Sequence, residues 1–139
     1  AIQLVDEVKL DDYKILREEL PNVKFVQVIH VTDESVVKTA LNIQNYVDAV
    51  LLDSGDPNLK VKELGGTGRV HNWEISRKIR ESIDIPVFLA GGLNPNNVKE
   101  AIEKVRPYGV DVCSGVRSEG HLDLVKLKEF TEALASFDQ

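Results

Sequence analysis

The sequence predicts a parallel α/β fold, and three observations carry that prediction. Five short apolar runs, Ile2–Val5, Val23–Val31, Ala49–Leu52, Pro86–Ala90 and Val110–Val112, are each bounded by turn residues. Runs this short and this continuously apolar suit strands covered on both faces. Helical patterns lie between them, and strands alternating with helices imply right-handed βαβ units around one parallel sheet. The strand starts recur about every 24 residues, except for one step of about 37 between Ala49 and Pro86.

Each helix is legible from its own periodicity. Asp11 to Leu20 carries Tyr13, Leu16 and Leu20 on one face, and Pro21-Asn22 stops it. Glu34 to Tyr46 repeats Val36, Val37, Ala40, Leu41 and Ile43, and Trp73 to Ile83 repeats Ile75, Ile79 and Ile83. Asn94 reads as a cap with Pro95 in the first helical position, ahead of Val98, Ala101, Ile102 and Val105. A last helix is expected from about Leu122 to Ser136. The additional length in the long step falls in 53–72, DSGDPNLKVKELGGTGRVHN, which reads as a lid-like loop or a linker within a single domain spanning 1–139.

Composition narrows the function. Of 139 residues, 42% are hydrophobic and 29% charged, as in an ordinary globular domain long enough to bury a core. No apolar run approaches the ~18 residues of a membrane helix, so no membrane partner is expected. A single cysteine rules out an internal disulfide and fits a reducing cytoplasm. The net charge of −6 argues against nucleic acid but not against a phosphorylated metabolite, which a few backbone amides can hold. There is no methionine, so Ala1 is not an initiator, and a longer parent chain is expected.

In parallel α/β folds, ligands bind where strands end and helices begin. Three such tips carry chemistry. Asp53 ends the run AVLLD, where a carboxyl group can serve as a general acid or base, although a loop cap fits as well. Gly91-Gly92 ends FLA just before a helix, which suits either a phosphate cradle of bare amides or a tight turn. The stretch from Asp111 to Gly120, DVCSGVRSEG, places Ser114-Gly115 at the next tip, and two adjacent glycine-bearing tips make a better phosphate site than one. Cys113 reads as a packing residue. His30, His71 and His121 lack metal-ligand spacing, and Arg69 and Arg117 read as loop residues near the same face.

LLDSG, GGTGRVHNW, FLAGGLNPNNVKEAI and RPYGVDVCSGVRSEG, in this order and spacing, resemble phosphoribosylanthranilate isomerase, and the match runs from about Ala49 to Phe137. The opening IQLV and VKFVQVIHV fit the family's fourth and fifth strands more loosely. The resemblance implies a (β/α)8 TIM barrel, of which this chain would supply five units, strands four to eight. It implies the Amadori rearrangement of N-(5-phosphoribosyl)anthranilate in tryptophan biosynthesis, with no metal or organic cofactor. Carried onto matching positions, it makes Asp53 the general acid and Gly91, Gly92, Ser114 and Gly115 the phosphate site. Gly65, Gly66, Thr67 and Gly68 would belong to the loop that closes over substrate, and Asp111 would lie near it.

The chain also departs from the family pattern. The general-base cysteine of a KICG-like first strand and the early arginine facing the anthranilate carboxylate have no counterpart here. QLVD, from Gln3 to Asp6, stands for QLHG, Cys113 for a frequent serine, and Arg117 for a frequent glutamate. Five units cannot close a barrel that needs eight in ~200 residues or more. The missing units, or self-association of the open sheet, are therefore expected as partners. Two other readings fit the same residues: a non-catalytic half-barrel assembly module, and a different phosphosugar barrel enzyme such as an epimerase or an indole-glycerol-phosphate synthase. The GGTG loop and the position of Asp53 speak against the last.

Overall fold

A computed structural model describes residues 1–53 and 67–137, with backbone alone for 67–72. Five strands form one parallel sheet in simple sequential order: β1 (Ile2–Leu4), β2 (Phe25–His30), β3 (Ala49–Asp53), β4 (Val87–Ala90) and β5 (Gly109–Val110). Helices α1 (Leu10–Glu19), α2 (Ser35–Ile43), α3 (Thr67–Ser82) and α4 (Val98–Val105) connect them, and α5 (Leu124–Ala135) follows the last strand. All five predicted strands and all five helices are present within a few residues of their expected bounds.

Three local differences have physical causes. The α3 helix begins at Thr67, so the end of the stretch expected as loop is helical and the helix precedes its first apolar marker, Trp73. The stretch around Arg69 is polar and has no periodicity to announce a helix. The α4 helix starts at Val98 rather than at Pro95. Asn94 instead makes a turn, its side-chain oxygen accepting from the Asn96 amide at 2.9 Å while its carbonyl accepts from Asn97 and Val98. Finally, a small hairpin was not anticipated: β6 (Arg117–Ser118) pairs antiparallel with β7 (His121–Leu122). Glu119 and Gly120, at φ 50° and 80°, make its two-residue turn. Arg117 therefore sits in a strand and donates to the Gly120 carbonyl at 3.1 Å, and Arg69 sits in the first turns of α3.

Strand alternation sorts the sheet into two faces. Phe25, Ile29, Val50, Leu52, Val87 and Leu89 point into the main core with Ala40, Ile43, Ile75, Ile79, Val98 and Ala101 from the helices. Burying each large apolar side chain there contributes about 1.5–3 kcal/mol. On the opposite face, Val28, Leu51 and Ala90 form a second cluster with Val26 and Phe88, and among the described residues only strand residues join it. Phe88 lies flat over Gly109, where a β-carbon would sit 2.9 Å from its ring.

The end of the sheet where strands begin is tied by charge. Asp48, just ahead of β3, accepts from Arg17 Nη2 at 2.6 Å, Lys24 Nζ at 3.0 Å and the Phe25 amide at 2.8 Å. Partial burial pushes its carboxyl up, but these donors outweigh burial and hold it down at about 2. Nearby, the buried Tyr13 hydroxyl donates to Gln27 Oε1 at 2.6 Å. Burial, and then the charge of Glu7, push that phenol up to about 12.

Candidate active site

The parallel register brings the ends of four strands into one row. His30 pairs with Asp53, Asp53 with Ala90, and Leu89 with Val110, so Asp111 follows one step beyond. The Asp111 amide donates to the Leu89 carbonyl at 2.9 Å, which holds that step in place. His30 and Asp53 share the face of Val28 and Leu51, the side away from the helices. This follows from the alternation within VQVIHV and AVLLD: every second residue faces the same way, and each series ends on a polar group at the strand's last position.

Asp53 is the predicted acid, and the fold presents it at the tip of β3 with its side chain 30% exposed. His30 Nδ1 lies 3.8 Å from Asp53 Oδ2. At that distance the two side chains adjoin without a hydrogen bond. A cavity of about 640 Å³ opens beside His30 at the β1–β2 end, lined by Val5, Val8, Val28 and Val36 with Lys9 and Asn42 among its polar groups. The sequence analysis set His30 aside for lacking metal-ligand spacing; its alternation with Val26 and Val28 is the signal that it ends the open face.

The two glycine-bearing tips are brought into contact. Gly91 and Gly92 have φ of 91° and 65°, a backbone closed to most other residues. After β5, Ser114–Val116 forms one turn of 3₁₀ helix. A β-carbon on Gly115 would fall 1.8 Å from the Leu93 carbonyl oxygen, so only glycine allows the second tip to pack on the first. Gly92 is rigidified from behind, since its carbonyl accepts from Asn94 Nδ2 at 3.3 Å and Asn97 Nδ2 at 3.0 Å. The backbone amides of Gly91 and Gly92 and those of Ser114 and Gly115 lie on the two tips so joined. The two tips thus form one joined corner beside the row that contains Asp53, and backbone amides gathered at such a corner favour an anion.

The remaining predicted residues fall as follows. Asp111 is exposed at the end of β5, and Thr67 and Gly68 are the first residues of α3. Gly65 and Gly66 lie outside the described residues. Cys113 is exposed and precedes the 3₁₀ turn. Among the described residues, no group of three His, Cys, Asp or Glu side chains is arranged to hold a metal ion.

Comparison with known proteins places the chain in a family. The family model described as N-(5'-phosphoribosyl)anthranilate (PRA) isomerase matches residues 1–133. The N-(5'-phosphoribosyl)anthranilate isomerase of Methanocella arvoryzae is 41% identical over 133 residues, covering 95% of this chain and 60% of the relative. That of Methanopyrus kandleri is 52% identical over 91 residues, 65% of this chain and 40% of the relative. Among solved structures, the Thermotoga maritima phosphoribosyl anthranilate isomerase superposes with a TM-score of 0.74 at 31% identity, covering 96% of this chain and 60% of that one. Another isomerase of the same name, solved in complex with reduced 1-(o-carboxyphenylamino)-1-deoxyribulose 5-phosphate, gives a TM-score of 0.71 at 28% identity, covering 96% and 58%. The chain thus spans about three-fifths of the length of the first of these relatives. With a parallel five-stranded sheet, flanking helices and a family match along nearly its whole length, the chain belongs to the N-(5'-phosphoribosyl)anthranilate isomerase family.

Proposed function

We propose that this chain supplies the acid and the phosphate anchor of an isomerase that converts N-(5'-phosphoribosyl)anthranilate into its 1-deoxyribulose isomer in tryptophan biosynthesis. In this reading, residues 1–139 are the last five βα units of an eight-unit barrel. The apolar face of Val26, Val28, Leu51 and Phe88 is then the barrel's interior, and β1 and β5 are edges that the first three units pair with.

The chemistry follows from the groups present. Asp53 donates a proton to the ribose ring oxygen, the C1–O bond breaks, and the ring opens to an iminium ion. A base then removes the C2 proton, and the resulting enolamine tautomerises to the ketose. The family resemblance assigns that base to a first-strand cysteine outside these residues. The amides of Gly91, Gly92, Ser114 and Gly115 hold the phosphate, and the α4 dipole adds to their attraction. Gly66, Thr67 and Gly68 contribute to closure over the substrate, which excludes water from the iminium stage. Asp111, one step along the row, faces the bound sugar.

The observation that carries the proposal is the contact between the two tips at Gly115 and Leu93, beside the strand that ends in Asp53. The test is an isomerase assay on the full-length protein, on the 139-residue segment, and on the segment mixed with the separate preceding units. Turnover is expected from the first and the third. Turnover by the segment alone would overturn the assignment of the base, and an inactive full-length protein would overturn the function. A stable homodimer of the segment with no phosphate-dependent thermal shift would instead favour a non-catalytic assembly module.

A further inference from the structure

His30 lies outside the roles the family resemblance assigns, yet its side chain faces the proposed acid. Its Nδ1 is 3.8 Å from Asp53 Oδ2, the two residues are register partners, and both end the same open face. An ordinary aspartate is almost wholly ionised near neutrality and holds no proton to give, whereas an imidazole is the one side chain whose ordinary range straddles neutrality. Resting on the isomerase reading, we propose that His30 is a positioning residue that stores the proton for Asp53, so that the pair, rather than the carboxyl group alone, forms the acid.

The step balances without a co-reactant. A side-chain rotation shortens the contact by about 1 Å to hydrogen-bond length. The proton leaves His30 Nδ1 and arrives on Asp53 Oδ2, while the carboxyl group delivers a proton to the ring oxygen as its C1–O bond breaks. Neutral His30, 59% exposed, takes up a replacement from solvent. Loosely made contacts of this kind tighten in substrate complexes. Among the described residues, the charged groups that line the cavity beside His30 are Glu7, Lys9 and Asp11 from the β1–α1 segment; the cavity-lining residues of α2 are uncharged, and Asp53 reaches His30 from β3. Asp111 lies two strands beyond Asp53 in the same row.

The experiment uses the full-length protein and reads two quantities. In activity–pH profiles, His30→Gln should lose ~10-fold or more at pH 8 relative to pH 5.5 compared with wild type, by the usual scale of a proton-transfer partner. His30→Lys keeps a positive charge but releases no proton near neutrality, so it should not rescue the alkaline limb. A limb unchanged in His30→Gln, or restored by His30→Lys, would overturn the proton store. Separately, an NMR titration of the His30 ring should move to lower pH in Asp53→Asn, and an unmoved titration would refute the coupling. If the wild-type protein has no isomerase activity, the functional reading fails while the titration still decides the pair.

Discussion

Two aspartates bracket β3 and are wired in opposite ways. Asp48, before the strand, receives two cations and a backbone amide, and its carboxyl is held at about 2. Asp53, at the far end, meets a histidine at 3.8 Å and opens onto the face where the glycine tips join. The first uses its charge to tie α1, β2 and β3 together, so it is locked in one protonation state. The second ends the strand on the open face with its side chain partly exposed. In β/α barrels the ends where strands start serve stability and the ends where they finish serve chemistry, and the proposed function would run that division across one strand.

That contrast can be broken by substitution. Asp53→Asn should lower kcat of the full-length isomerase by ~10²–10⁴-fold, the scale of a lost general acid, with the thermal midpoint little changed. Asp48→Asn should do the reverse and leave kcat nearly intact. A drop in turnover from Asp48→Asn matching that from Asp53→Asn would erase the distinction.

Next in size are two stability effects. Gly115→Ala should cost about 1–3 kcal/mol, because the Leu93 backbone cannot retreat from a β-carbon 1.8 Å away without parting the tips. Denaturant unfolding measures this, and a weaker affinity for inorganic phosphate should accompany it. Asp48→Ala should cost about 1–2 kcal/mol, since it strips three donors of their acceptor at a site open to some solvent.

The smallest effect concerns acid. Because the folded state holds the Asp48 carboxyl below its usual 3.8, its contribution is fully present above that value and fades as pH falls towards about 2. Acid unfolding of the Asp48→Asn protein should therefore show a shallower loss of stability across this window than wild type. Equal slopes would mean that the charged cluster matters little.

Local patterns made much of this legible. The five strands were readable because each is a short unbroken apolar run, and Asp53 stood out because it interrupts AVLLD at a strand tip. The turn at Glu119-Gly120 was missed because its hairpin strands are only two residues each, too short for any alternation to register. The start of α3 was missed because Thr67 to Asn72 holds one apolar side chain, Val70, too few for a helical periodicity to register. The proximity of His30 to Asp53 depends on the register between β2 and β3, which no run of adjacent residues records. Gly115 is the subtlest case: the sequence shows a glycine, but the carbonyl that forbids anything larger belongs to Leu93, 22 residues earlier (115 − 93).

The most direct test is a crystal structure of the full-length protein with the reduced 1-(o-carboxyphenylamino)-1-deoxyribulose 5-phosphate that a relative binds. The account predicts phosphate oxygens within hydrogen-bond distance of the amides at both Gly91-Gly92 and Ser114-Gly115, and the oxygen derived from the sugar ring within reach of Asp53. A phosphate seated elsewhere, or an Asp53 carboxyl turned away from the bound sugar, would contradict it.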